Sequence, residues 1–336
     1  MTNATPILPQ YVDSTMIACF RSCRQKFYKE FILGLRPTGF SVDLHAGACF
    51  ATGIETVGRE IHENGVPLST ALSRAHGAFL DAWGDFVPQK ETPKTQERVW
   101  EAIEEYFNVF PPLTDHIQPY LGADGKPTYE FTFAIPLEPA IAPDKEAVDA
   151  NTSYTNFDPA WYSTESYRPF PLHPSGQPFI YAGKLDRLGQ WGGKVVGQDE
   201  KTTRSIASNW SDQWNLRSQF IGYCWALRQM GLNIDTIAVR GVGILKTKIT
   251  IVEALKTYSD MLIARWHEQL RRDLWAIRRS WDEGYWDFNM ADACTSYGGC
   301  AFNELCNSAN EAAWLHNYTV KRWNPLLKNP IGEEAA

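Results

Sequence analysis

Between Phe179 and Leu245 the hydrophobic pattern changes period three times, and that order constrains the fold more than any other feature. Phe179–Arg187 and Lys194–Lys201 are short apolar runs joined by the turn-rich Gly189–Gly193, the pattern of a β-hairpin. Helical spacing follows from about Asp212 to Met230, stopped by Gly231, and Ile234–Leu245 returns to an apolar strand. Strand, strand, helix, strand predicts an α/β fold with a mixed central sheet flanked by helices.

The flanking regions fit around that core. Up to about residue 110 the chain predicts helices. Ser14 is the expected N-cap of a basic amphipathic helix, with Ile17, Phe20, Phe27 and Phe31 on one face and Arg21, Arg24, Lys26 and Lys29 between them. Stripes at Phe50, Ile54, Val57 and Ile61, at Leu72, Phe79 and Trp83, and at Val99, Ile103 and Phe107 predict three more, ended by Gly65, Pro88 and Pro111. Of the 20 prolines, 12 fall between Pro111 and Pro178, which excludes long helices there. One strand interrupts this stretch, where Tyr129, Phe131, Phe133 and Ile135 alternate with smaller or polar residues, and roughly 137–178 is expected to be irregular. The stripe Leu255, Tyr258, Leu262, Trp266, Leu270, Leu274, Ile277 and Trp281 predicts a long amphipathic helix. The expectation is one domain over 1–336, in four parts: 1–110, 111–178, 179–250 and 251–336.

Charge excludes a globally basic nucleic-acid binder, because 32 Lys and Arg face 39 Asp and Glu, and any such surface must be a local patch. Two patches qualify: the first helix, and Arg265, Arg271, Arg272, Arg278 and Arg279 on the late helix, although solvated helix faces explain both equally well. The first 30 residues lack an export signal and no run reaches the roughly 18 apolar residues of a membrane helix, so the expectation is a cytoplasmic protein without a membrane partner.

The sharpest chemical feature is Gly183-Lys184-Leu185-Asp186-Arg187 followed one hairpin later by Asp199-Glu200-Lys201-Thr202-Thr203. Carboxylates on adjacent strands can share a divalent cation. Mg²⁺ takes oxygen ligands and keeps several waters, so Asp186, Asp199 and the backbone carbonyl of Glu200 are a plausible set. Lys201 is two residues beyond Asp199, on the same face, where it can orient an attacking water or meet transition-state charge. The alternative is that these are surface charges at the end of a hairpin. Gln219 and Tyr223, four apart, point to one side of the following helix.

In this order the motifs resemble the PD-(D/E)xK nuclease superfamily, specifically its RecB-like members, where a G-x-[IL]-D-R strand precedes a D-x-K-T strand and a helix bearing Q-x-x-x-Y. The resemblance implies a restriction-endonuclease-like core, catalysis by Asp186, Asp199, Glu200, Lys201, Gln219 and Tyr223, Mg²⁺ or Mn²⁺ as cofactor, and DNA contacts from Arg24, Lys26, Arg187 and Thr202. One position departs from the pattern. The family's metal-binding His, four residues after a Gly in an early helix, is replaced by Ala51 after Gly47. Glu55 or Glu130 is then the candidate third carboxylate, with His45 and His62 expected at the surface.

Seven cysteines in a reducing compartment are more often thiols or metal ligands than disulfides. Cys294, Cys300 and Cys306, with one distant N-terminal cysteine, resemble the [4Fe–4S] arrangement of iron–sulfur RecB-like nucleases such as the AddB subunit and the CRISPR adaptation nucleases. Ser14-x-x-Ile17-x-x-Phe20-x-x-Cys23-x-x-Lys26-Phe27-Tyr28 resembles the opening motif of that group. This implies a cluster held by Cys23, Cys294, Cys300 and Cys306 that joins the two terminal segments. Cys19 is the rival to Cys23 and a Zn²⁺ site the rival to the cluster. Cys49 and Cys224 are expected to be buried thiols. The implied function is an exonuclease acting on DNA ends or single strands in phage-type or bacterial recombination, replication or defence, with protein partners from those processes. Two rivals are a non-catalytic DNA-end-binding module of the same fold and a carboxylate-dependent hydrolase of another substrate class.

Overall fold

The computed structural model of the chain describes residues 4–39, 41–88, 91–138, 169–290, 292–295, 299–327 and 329–332. Most of the expected irregular stretch, 139–168, lies outside them. The described residues fall into two compact units, one drawn from Met1–Thr38, Phe133–Lys184 and Ser259–Ala336, the other from Gly39–Thr132 and Leu185–Tyr258.

In the first unit the N-terminal helix is Ser14–Ser22. Its cap is Asp13, one residue before the expected Ser14, with the Asp13 carboxylate accepting from the Met16 amide at 2.8 Å. The single helix expected here breaks at Cys23, whose φ of −161° is extended, then resumes as Arg24–Phe27 and a π-turn at Tyr28–Ile32. The break still lets Phe20 and Phe27 meet edge to face with ring centroids 5.4 Å apart, so the apolar stripe remains buried. The late helix is Asp260–Glu283, capped by Ser259, with Ile263, Trp266, Leu270, Leu274 and Ile277 buried along one side. Two elements were not anticipated: strand β1 (Tyr11–Val12), parallel to Ile180–Tyr181, and a three-stranded antiparallel sheet of β2 (Leu35–Pro37), β9 (Tyr318–Asn324) and β10 (Asn329–Gly332).

The second unit holds most of the sheet the hairpin pattern called for. Strands β5 (Ile180–Trp191), β6 (Lys194–Thr203), β7 (Thr236–Ile244) and β8 (Ile249–Thr257) lie in that order, and short β3 (Gln118–Pro119) pairs with β5. β5 and β6 are antiparallel across Gly192 and Gly193, whose φ values of +56° and +79° suit glycine. β6 and β7 are parallel, so the chain between them must cross over, and helix Ser218–Gln229 makes that crossing. This helix begins later than the expected Asp212, because Trp210–Trp214 forms a 3₁₀ turn that buries both tryptophans. β7 is buried at all nine positions, as a strand covered on both faces should be. Helices Val42–His62, Leu68–Trp83 and Gln96–Val109 match the three expected stripes and pack Phe50, Val57, Phe79, Val99 and Ile103 into one core that includes Val242 and Ile244 of β7. The predicted strand at Tyr129–Ile135 is β4 (Tyr129–Pro136). β8 corrects the long-helix expectation, because Leu255 lies in this strand and Tyr258 just beyond it. Among the described residues no helix is long and apolar enough to cross a membrane.

Candidate active site

Alternation along β6 sends successive side chains to opposite faces of the sheet. Asp199 and Lys201 therefore share a face, and they form an ion pair in which Asp199 is fully buried and the Lys201 side chain is about one-third exposed. The Lys201 ammonium also lies 5.8 Å from the Phe220 ring centroid, on the crossing helix. Asp186 reaches the same strand from β5, its Oδ2 accepting from the Glu200 amide at 2.9 Å. One turn along the crossing helix, Gln219 Nε2 donates to the Tyr223 hydroxyl at 2.8 Å. Burial pushes the Tyr223 phenol up, and the negative charges of Asp199 and Asp186 push it further. The structure thus brings Asp186, Asp199, Lys201, Gln219 and Tyr223 into one neighbourhood.

Glu200 turns the other way. Its carboxylate accepts from the Tyr106 hydroxyl at 2.9 Å and from Gln198 Nε2, and burial followed by the nearby Asp186 charge pushes its carboxyl up. Arg187, expected among the DNA contacts, also faces this interior: its side chain is only 12% exposed and donates to Gln198 Oε1 at 2.6 Å and Asp115 Oδ2 at 3.4 Å. Thr202 is half-buried and accepts from Lys94 Nζ at 3.2 Å. Lys94 pairs with Asp43 at 3.1 Å, and its burial holds its ammonium below the usual range. A Cβ on Gly47 would lie 3.4 Å from Thr202 Oγ1, which places the early turns of helix Val42–His62 against the end of β6.

The two candidate third carboxylates differ in setting. Glu55 accepts from Arg59 Nε at 2.7 Å, within its own helix. Glu130 occupies the left-handed region at φ +51°. Among the described residues no three or more His, Cys, Asp or Glu side chains are placed to hold an ion. His45 and His62 are half-buried rather than at the surface, His45 packing on Phe86 with ring centroids 4.0 Å apart. The donor chemistry still suits Mg²⁺ or Mn²⁺: Asp186, Asp199 and the Glu200 main chain offer only oxygen, which these hard cations prefer. Burial is the main cause of the upward shifts of Glu200 and Tyr223, and the charge of Asp186 adds to both.

Of the other expected DNA contacts, Arg24 pairs with Asp287 and Lys26 is half-buried. Cys19, Cys23, Cys300 and Cys306 of the first unit lie within electrostatic reach of one another. Burial pushes the Cys19 thiol up, Glu30 adds to this, and Cys23 and Cys300 contribute further. Burial likewise raises Cys306, which feels Cys300 and Cys23. Cys294 behaves differently: its sulfur lies 3.8 Å from the Asn289 carbonyl, while its own carbonyl accepts from the Cys300 amide at 2.9 Å. The expected four-thiol cluster is therefore not assembled among the described residues. Cys49 and Cys224 are buried, their thiols pushed up to about 11 and about 12 mainly by that burial.

Carboxylates gathered on a hairpin with a lysine between sheet and helix suit cation-assisted attack on a phosphodiester, the chemistry of metal-dependent nucleases. A family profile agrees: that of the PD-(D/E)XK nuclease superfamily matches residues 14–307, and the chain belongs to this superfamily. Its nucleases typically use Mg²⁺ or Mn²⁺. A solved structure, the crystal structure of SSO0001, is similar at 16% identity over 42% of this chain and 55% of that one. The chain thus spans about half of that structure, and the TM-score of 0.22 carries no argument. No curated protein matches the sequence.

Proposed function

We propose that this chain is a DNA exonuclease that hydrolyses phosphodiester bonds at DNA ends, in recombination, replication or defence. The observation that carries the reading is the ion pair of buried Asp199 with Lys201, with Asp186 held to the Glu200 amide at 2.9 Å. In this reading Asp186, Asp199 and the Glu200 carbonyl hold Mg²⁺ or Mn²⁺, which supplies Lewis-acid stabilisation and an activated water. Lys201 orients the attacking water or meets charge developing on the phosphate, and Gln219 fixes the Tyr223 hydroxyl beside it. Glu130 is the candidate for a third carboxylate, and Arg24, Lys26 and Thr202 are candidate phosphate contacts. Incubating end-labelled DNA with the protein and either metal tests this: release of nucleotides from ends supports it, and uncut DNA with both metals refutes it.

A second reading is supported by Ala51, which stands where the resemblance calls for a metal-binding His: a module that binds DNA ends without cutting them. End binding without cleavage in the same assay favours it. For the cysteines we propose a structural [4Fe–4S] cluster held by Cys23, Cys294, Cys300 and Cys306, with Zn²⁺ as the alternative. The closeness of Cys23 and Cys300 to Cys306, whose thiol they push up beyond the effect of burial, supports it. Anaerobically purified protein should be brown and carry about four iron and four sulfide per chain. Stoichiometric zinc without sulfide refutes the cluster.

A further inference from the structure

On the sheet face opposite Asp199 and Lys201, two chains of hydrogen bonds converge on Glu200. One begins at Arg240 in the middle of β7, a guanidinium with no exposure to solvent. It is fixed by Asp115 at 2.7 Å on each of two nitrogens, by Glu253 at 2.7 Å, and by stacking 3.6 Å from the Phe110 ring centroid. Arg240 Nη1 donates to the Tyr106 hydroxyl at 3.1 Å, and Gln198 Nε2 donates to it at 3.2 Å. A phenol oxygen has two lone pairs and one proton. With both lone pairs engaged by N–H donors, its proton is directed at the Glu200 carboxylate, 2.9 Å away. The second chain begins at Arg187, which donates to Gln198 Oε1 at 2.6 Å and so turns Nε2 of the same amide toward Glu200.

Glu200 is the end point of both chains, and its own amide donates to Asp186 at 2.9 Å. Its two neighbours in β6 are Asp199 and Lys201. We propose that Tyr106 is a positioning residue for the metal-binding strand: by holding the Glu200 side chain on one face, it sets the direction of the Asp199, Glu200 and Lys201 groups that serve the other. This rests on the nuclease reading above for what those groups do. The hydroxyl is bonded to Glu200, Gln198 and Arg240, and its role for the metal-binding strand is exerted through Glu200.

The test is a titration of the full-length protein with Mn²⁺ alone, followed by calorimetry, for Tyr106→Phe, Glu200→Ala and the double variant. Partners that orient metal ligands typically contribute about 10- to 100-fold in affinity, and Tyr106→Phe should weaken Mn²⁺ binding by that order. Because the effect passes through Glu200, the double variant should bind no more weakly than Glu200→Ala. Unchanged Mn²⁺ affinity in Tyr106→Phe, or additive losses in the double variant, would overturn the assignment while leaving the nuclease reading standing. Gln198→Leu removes the other donor to both oxygens and should weaken binding in the same way if Tyr106→Phe does not fold. If the wild type binds no Mn²⁺, the nuclease reading fails instead. Hydrogen exchange then decides the tether: faster exchange at the Glu200 and Lys201 amides in Tyr106→Phe supports it, and unchanged exchange refutes it.

Discussion

The acidic hairpin and the cysteine region differ in what holds them in place. In the hairpin, protein groups do the holding: the Glu200 amide on Asp186, Lys201 on Asp199, and Tyr106 and Gln198 on Glu200. Around Cys300 and Cys306 the organiser is a small apolar cluster of Leu35, Phe302, Leu305 and Tyr318, with a backbone bond between Cys294 and Cys300. A site shaped by its own hydrogen bonds keeps its form when its ion leaves. Thiols gathered by a minor core depend more on what binds them, because ligand and fold then share one free energy.

The largest expected effects fall on the hairpin's chemistry. Asp199→Ala or Asp186→Ala should abolish cleavage at any practical Mg²⁺ concentration. Lys201→Ala should bind DNA normally but cut it about 10²- to 10³-fold more slowly in single-turnover assays, the usual loss for one preorganised electrostatic partner. Wild-type cleavage by Lys201→Ala would show that the Asp199–Lys201 pair is structural only. In the cysteine region the order should reverse. Cys300→Ser should lower solubility and melting temperature before it changes the rate per folded molecule, which thermal unfolding measured beside activity will separate.

A third test asks how much of the hairpin's order comes from the buried charges behind it. Arg240→Met leaves buried Asp115 with only the longer Arg187 contact at 3.4 Å in place of two bonds at 2.7 Å, and breaking a buried pair typically costs up to about 3–5 kcal/mol. The pH dependence has a definite sign. Burial pushes the Asp115 carboxyl up, but hydrogen bonds and charge from Arg240 outweigh it and hold the carboxyl below its usual range. The stability Asp115 provides is therefore fully present above about pH 4 and is lost as pH falls through its lowered value. In the variant, Asp115 takes up a proton more readily, so the gap in melting temperature from wild type should be widest near neutrality and close in acid. A gap that does not vary with pH would mean that the loss is one of packing.

The hairpin, the crossing helix and the three helical stripes were readable because each repeats a local period over ten or more residues. β8 was not, because Leu255 and Tyr258 happen to stand three residues apart and extend the spacing of the helix that follows. β2 and β9 were hidden for another reason: they are short, and Leu35 finds its partner Val320 far along the chain. The catalytic candidates carried a motif, whereas Tyr106 and Arg240 meet across 134 residues without one. Arg240 did leave a signal, being a charge in the middle of an apolar strand, where burial demands a partner. The partner itself could not be named from sequence.

The smallest expected effect bears on whether the hairpin's acidic set includes a third member. Among the described residues, Glu130 is the one non-glycine at positive φ, +51°. For a residue with a Cβ the left-handed region costs roughly 1–2 kcal/mol. Glycine would relieve that cost but would give back roughly 0.5–1 kcal/mol by loosening the unfolded chain. Glu130→Gly should therefore stabilise by no more than about 1.5 kcal/mol, a rise of at most about 2 °C at an unfolding entropy of about 2.1 cal/mol/K per residue. Strain of this kind persists where the surrounding structure or the function requires it. If the carboxylate serves the ion, Glu130→Gly should melt higher yet need more Mn²⁺ for half-maximal cleavage, while Glu130→Asn, which tolerates the same φ and keeps an oxygen donor, should recover part of that loss. A variant that is more stable and equally active at every Mn²⁺ concentration would leave Asp186 and Asp199 as the only carboxylates on the metal.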